Sequence, residues 1–144
     1  MNRPLTHTLF VVLFCVATSA NAQDSSKTVR VFVLAGQSNM QGHAVVDFDH
    51  PEHYNGGKGN LNDVIARTGN KFAQLKSGDQ WSVRDDVAIR FITEHETKTG
   101  GLSIGYAGYE GQNHFGPELQ FGHVVGDYFD EPVLLIKPRG VARV

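Results

Sequence analysis

Residues 29–35 read V-R-V-F-V-L-A and run without a spacer into Gly36-Gln37-Ser38. A nearly continuous β-branched and apolar run of this kind fits a strand covered on both faces in a parallel sheet, and we expect it to be the first, central strand. A second such run, residues 133–136 (V-L-L-I), follows Glu131-Pro132 and predicts another buried strand. Between them, Gly116-Pro117-Glu118 opens a segment in which Phe121, Val124, Val125, Tyr128 and Phe129 recur at helical spacing. Proline and an acidic side chain stand where a first turn favours them. Strand, long excursion, helix and strand predict an α/β layered fold.

The excursion has its own punctuation. Residues 43–60 carry His43, His50, Pro51, His53, Asn55 and a Gly56-Gly57-Lys58-Gly59 cluster with no sustained apolar period, which predicts a long surface loop. Residues 61–67 predict a short helix with Asn60 as its N-cap and Leu61, Val64 and Ile65 on one side. Residues 87–92 and 102–106 alternate, with Thr99-Gly100-Gly101 as turn material, and predict a hairpin-like excursion. No internal repeat or low-complexity segment is present.

The first 22 residues read as a secretory signal: Arg3, an apolar run over 9–17, then Ala20-Asn21-Ala22 as an A-x-A cleavage site. The run is shorter than the roughly 20 residues a membrane span needs, so no membrane association is expected after cleavage. The expected product starts at Gln23, has a polar tether over 23–28, and is exported to a periplasmic or extracellular space. Cys15 is the single cysteine and lies inside the signal, which excludes a disulfide framework and a thiolate metal site from the product. The 144 residues hold 13 Lys and Arg against 15 Asp and Glu, so no basic field exists to hold nucleic acid. What remains is the size of one domain.

Gly36-Gln37-Ser38-Asn39-Met40, placed at the end of a predicted strand, is the segment that bears on chemistry. A serine at the carboxyl end of a strand projects into the crevice where open α/β sheets bind ligands. The same residues equally suit a tight turn, with glycine for backbone freedom and Ser or Asn for local hydrogen bonds. Residues 31–42 (V-F-V-L-A-G-Q-S-N-M-Q-G) resemble the first block of the SGNH hydrolases, in their sialate O-acetylesterase and carbohydrate esterase family six branch. Residues 114–122 (H-F-G-P-E-L-Q-F-G) resemble the G-P-E-L segment that this branch carries on a following helix, and the similarity runs over about 29–137.

The resemblance implies a three-layer, flavodoxin-like parallel sheet and hydrolysis of acetyl esters on carbohydrates, with no metal or organic cofactor. Ser38 would be the nucleophile, and its backbone N–H one oxyanion donor. Gln37, Asn39, His114 and Glu118 would line the site. The serine would attack the acetyl carbonyl of an O-acetylated glycan, release the sugar hydroxyl and pass the acetyl group to water. That chemistry needs a histidine base oriented by a carboxylate, which the family supplies from a D-x-x-H block near the end of a longer domain.

Residues 138–144 (P-R-G-V-A-R-V) depart from the family pattern, and neither its second glycine block nor its terminal D-x-x-H follows. The expectation is therefore a fold incomplete at the C-terminus. Its alternatives are an inactive remnant, a carbohydrate-binding half-domain, or a fragment complemented by a missing C-terminal half. The last predicts exposed apolar surface along strand 133–136.

Asp47-Phe48-Asp49-His50 is literally D-x-x-H, which makes Asp47 and His50 a candidate base pair, although a surface loop explains them as well. His43, His50 and His53 form a loose cluster without the carboxylate–histidine spacing of a metal site. Glu118 reads first as the acid of a helix N-terminus, with a hydrogen bond near the Gln37-Ser38 turn as its other role. Trp81 and Tyr109 are candidates for stacking on a sugar ring, or for plain packing.

Overall fold

The computed structural model describes residues 28–48, 50–53, 55–109 and 114–139; the signal segment, Asp49 and residues 140–144 lie outside the described residues. In chain order the elements are β1 (Arg30–Val33), α1 (Ser38–Gln41), β2 (Ala44–Val45), α2 (Leu61–Thr68), a 3-10 segment (Gly69–Leu75), β3 (Lys76–Ser77), β4 (Gln80–Trp81), β5 (Arg84–Ile92), β6 (Thr97–Leu102), β7 (His114–Phe115), α3 (Pro117–Tyr128) and β8 (Val133–Pro138). The main sheet has the order β1-β8-β5-β6. Strands β1 and β5 run parallel to β8, and β6 is antiparallel to β5. This is a mixed α/β arrangement around a mostly parallel sheet.

Helix α3 starts as its sequence predicts, with Pro117 in the first turn behind an extended Gly116 and with Glu118 as the first-turn acid. It buries Gly122 and Val125 against the sheet. A Cβ on Gly122 would lie 2.3 Å from Leu102 Cδ2 and 3.0 Å from Leu135 Cδ1, so the missing side chain is what lets the helix sit this low. The core beneath it joins Val87, Ile89, Leu102, Val125, Val133 and Leu135, with Phe32, Leu34, Phe121 and Phe129 packed around them. Each fully buried aliphatic side chain there contributes about 1.5–3 kcal/mol relative to exposure. The Phe32 and Phe121 rings meet edge to face at 5.3 Å.

The opposite face of the same sheet is different. Val31 and Val33 pair with Leu134 and Ile136 across β1 and β8. The two valines are 52% and 63% exposed, and Leu134 and Ile136 are half-buried, whereas Val133, Leu135 and Lys137 on the α3 side are buried. Among the described residues, the helix packed on β5 and β8 is α3, on the other side.

Two expectations are corrected here, the place of the first strand and the turn of the hairpin. The first strand is the edge of the sheet, and β8, buried at every second residue, is central. The exposed apolar surface therefore lies on β1 more than on 133–136. The hairpin belongs to the main sheet, and its turn is at residues 93–96, where Thr93 N–H donates to the Glu96 carbonyl at 2.8 Å and Thr93 Oγ1 accepts from the His95 and Glu96 amides. Thr99-Gly100-Gly101 lies within β6. Its glycines serve close approach, since a Cβ on Gly100 would be 2.4 Å from the Tyr106 hydroxyl oxygen and one on Gly101 2.6 Å from the Arg84 carbonyl oxygen. Strand β8 continues through Pro138, and Arg139 N–H donates to the Ile92 carbonyl at 2.6 Å, so the divergent tail is still tied to the sheet at its start.

Helix α2 forms with the expected cap. Asn60 Oδ1 accepts from the Asp63 amide at 2.9 Å while its Nδ2 donates to the Gly57 carbonyl. Leu61 joins a second cluster with Val46, Leu75, Ile104 and Leu119. No helix among the described residues is long and apolar enough to cross a membrane.

Candidate active site

Ser38 lies where β1 gives out. The β1–β8 ladder ends with Leu34 N–H donating to the Ile136 carbonyl at 2.8 Å, and the chain then turns through Gly36 into the single turn of α1. A Cβ on Gly36 would stand 2.8 Å from Met40 Cβ, so glycine is required for the strand to fold back this tightly. Gln37 is extended, and its carbonyl accepts the Met40 and Gln41 amides at 2.6 and 3.3 Å. Gln37, Ser38 and Asn39 are exposed, and Ser38 Oγ has no hydrogen-bond partner among the described residues. The amides of Ser38 and Asn39, first in the turn, have no helical acceptor.

The two motifs meet backbone to backbone. Gly42, at φ 89°, closes α1, and a Cβ on it would strike the Phe115 carbonyl group at 2.8 Å. A Cβ on Gly116 would lie 2.9 Å from Gly42 Cα. Beside this contact β2 and β7 pair Ala44 with Phe115 and Val45 with His114. Beneath it lies a fully buried ion pair: Lys137 Nζ and Glu118 Oε2 are 2.6 Å apart, with both side chains 0% exposed. Glu118 Oε1 accepts the Gly116 amide at 2.8 Å. Lys137 also donates to the Tyr106 carbonyl at 2.7 Å and to the Gln41 carbonyl at 3.4 Å. Burial pulls the Lys137 ammonium below its ordinary pKa, and the Glu118 carboxylate opposes that pull. Glu118 is thus both the first-turn acid of α3 and the buried partner of Lys137.

Among the described residues, no histidine is hydrogen-bonded to Ser38. His50 Nδ1 accepts the Glu52 and His53 amides, each at 3.1 Å, which puts the ring proton on Nε2. A triad base needs the reverse, an Nδ1–H held by a carboxylate and a free Nε2 lone pair facing the serine. No hydrogen bond joins Asp47 to His50, and the His50 ring stacks on His53 at 4.3 Å. The candidate pair Asp47–His50 is therefore not formed, because the loop uses His50 to cap its own turn. No histidine among the described residues is hydrogen-bonded to a carboxylate. No group of three His, Cys, Asp or Glu among them could hold a metal ion.

His43, Tyr109 and His114 form a trio that the spacing of residues did not reveal. The Tyr109 hydroxyl lies 2.9 Å from His43 Nδ1, and the Tyr109 ring is 5.0 Å from that of His114. His114 Nδ1 is buried without a partner among the described residues. Gly108 N–H donates to the Gln41 carbonyl at 2.8 Å, which ties this segment to α1. Gly108 and Tyr109 also line a cleft of about 510 Å3 with His95, Lys98 and Arg139. A second cleft, about 590 Å3, has Trp81 and Tyr106 among its walls. One face of Trp81 is covered by Lys76 Nζ at 3.9 Å.

Lys137 was readable from sequence. In V-L-L-I-K the strand period of two places it on the same face as Val133 and Leu135, and a lysine in that row needs a buried anion. No protein-family model, no curated protein and no solved structure matches this chain.

Proposed function

We propose that this protein is an exported SGNH-type carbohydrate O-acetylesterase, built on a three-layer flavodoxin-like sheet, with Ser38 as nucleophile and an O-acetylated glycan as substrate. The observation that carries this reading is the position of Ser38: exposed, one turn beyond the carboxyl end of a strand parallel to β8, on a turn packed against the N-terminus of α3 through Gly42 and Gly116. Attack of Ser38 Oγ on the acetyl carbonyl would form a tetrahedral oxyanion within reach of the unpaired first-turn amide of Ser38 itself. Collapse would release the sugar hydroxyl and leave an acetyl-enzyme for water to hydrolyse. The cleft lined by Gly108 and Tyr109, which does not include Ser38 among its walls, is tied to the α1 turn by the Gly108 N–H bond to the Gln41 carbonyl.

The decisive experiment is hydrolysis of p-nitrophenyl acetate by the purified protein beside its Ser38→Ala variant, with both shown to be folded by circular dichroism. Turnover that is lost in the variant supports the esterase. Equal rates for the two proteins remove Ser38 from any ester chemistry.

A second reading is a carbohydrate-binding module or inactive remnant of the same fold. It is favoured by the lack of a carboxylate-bound imidazole among the described residues, since an unactivated serine hydroxyl is a poor nucleophile. Retained binding to O-acetylated glycan with no Ser38-dependent turnover is the result that selects it.

A further inference from the structure

We propose that Lys137 and Glu118 are positioning residues for the Ser38 turn: the buried pair holds the exit of α1 against the start of α3 without touching substrate. This rests on the reading of Ser38 as nucleophile.

A single four-residue turn has no independent stability, because the first hydrogen-bonded turn is the unfavourable step of helix formation. Its geometry must be imposed from outside. The Gln41 carbonyl, at the end of the turn, receives two bonds from elsewhere in the chain, from Lys137 Nζ at 3.4 Å and from the Gly108 amide at 2.8 Å. The Lys137 ammonium has three protons and meets three acceptors, the carbonyls of Gln41 and Tyr106 and the carboxylate of Glu118, so its donor capacity is used in full. Glu118 completes the clamp from the other side. Its second oxygen takes the Gly116 amide, which holds Gly116 against Gly42, the residue that follows the turn. The lysine also lies 5.1 Å from the Phe91 ring centre, so the tie reaches from β5 and β8 through to α1 and α3.

The charge pair is thus more than a helix-start interaction. It links residues 41, 106, 116, 118 and 137, and the link from Lys137 to the Gln41 carbonyl ends on the one segment that carries the serine. Nucleophile placement is sensitive to such supports, since a displacement of about 1 Å is enough to lower a rate on the order of a hundredfold.

The test compares the wild type with the double variant Glu118→Gln/Lys137→Met, which removes both charges together and so leaves no unpaired buried ion. Amide hydrogen exchange is read at residues 40–42 and 108 relative to the β5–β8 ladder, and kcat and KM are read on p-nitrophenyl acetate. We expect exchange at 40–42 and 108 to rise about tenfold or more relative to the ladder, as loss of a charge-assisted hydrogen bond implies. We also expect kcat to fall with KM little changed. Unchanged relative exchange at 40–42 and 108 overturns the proposal, as does a double variant that fails to fold, which would make the pair a keystone of the whole fold. A wild type without Ser38-dependent turnover sinks the esterase reading alone, and the exchange comparison still decides whether the pair holds the turn.

Discussion

The two faces of the sheet are made from alternate residues of the same strands, and they have opposite surroundings. On one side Phe32, Val87, Ile89, Val133 and Leu135 lie under α3, most of them with no accessible surface. On the other, Val31 and Val33 are more than half exposed, with Leu134 and Ile136 beside them. All four are as apolar as their neighbours one residue away. Strand composition thus reports what a strand would bury, while the helix layer determines which side achieves it. Parallel sheets are ordinarily covered on both faces, so the side on which no helix packs among the described residues is the unusual one.

The largest effect should come from the covered side. Lys137→Met alone leaves Glu118 as an unpaired buried carboxylate and should lower unfolding free energy in urea by about 3–5 kcal/mol. Adding Glu118→Gln should recover most of that loss. Leu135→Ala, at the fully buried centre of the same face, should cost about 2–5 kcal/mol in the same assay. Gly122→Ala forces a methyl group into Leu102 and Leu135 and should cost about 1–3 kcal/mol, with a lower melting temperature as a second readout.

A pH effect should follow from His123, which is 3% exposed on α3. Burial lowers its pKa below 6.5, and the Arg84 guanidinium lowers it further, while Asp127 and Asp86 act in the opposite sense. The unfolded chain therefore takes up a proton at higher pH than the folded one. The stability from neutral His123 is present above about pH 6.5 and declines as pH falls below it, by at most about 1.4 kcal/mol per pH unit. Urea midpoints at pH 7.5 and 5.5 should differ less in His123→Leu than in the wild type.

The smallest effect should come from the bare side. Val31→Thr/Val33→Thr should change stability by no more than about 0.5 kcal/mol, as for surface positions generally. A loss comparable to that of Leu135→Ala would show that something covers this face in solution and would erase the contrast.

Much of this molecule was legible in the chain. Pro117 and Glu118 marked the start of α3, Asn60 marked the cap of α2, and the two apolar runs became β1 and β8. The serine turn after β1 was also foreseeable from Gly36-Gln37-Ser38. Failures came where one residue type serves two ends. Gly100 and Gly101 read as a turn but allow Tyr106 and Arg84 to approach a strand. His50 allowed two readings, a loop residue or half of a base pair, and its Nδ1 is occupied by two amides of its own loop.

Period, capping and apolar runs are local properties, and from them the sequence by itself determined that strands, helices and a serine-bearing turn would form, and roughly where. Only the tertiary structure decided that β1 would be the edge and β8 the centre, that Gly42 would meet Gly116, and that Lys137 would find Glu118 and the Gln41 carbonyl. Those outcomes depend on pairing between residues from 19 to 103 positions apart, where many partners satisfy the same local pattern and the choice follows from which packing buries the most apolar surface while leaving the fewest buried polar groups unpaired.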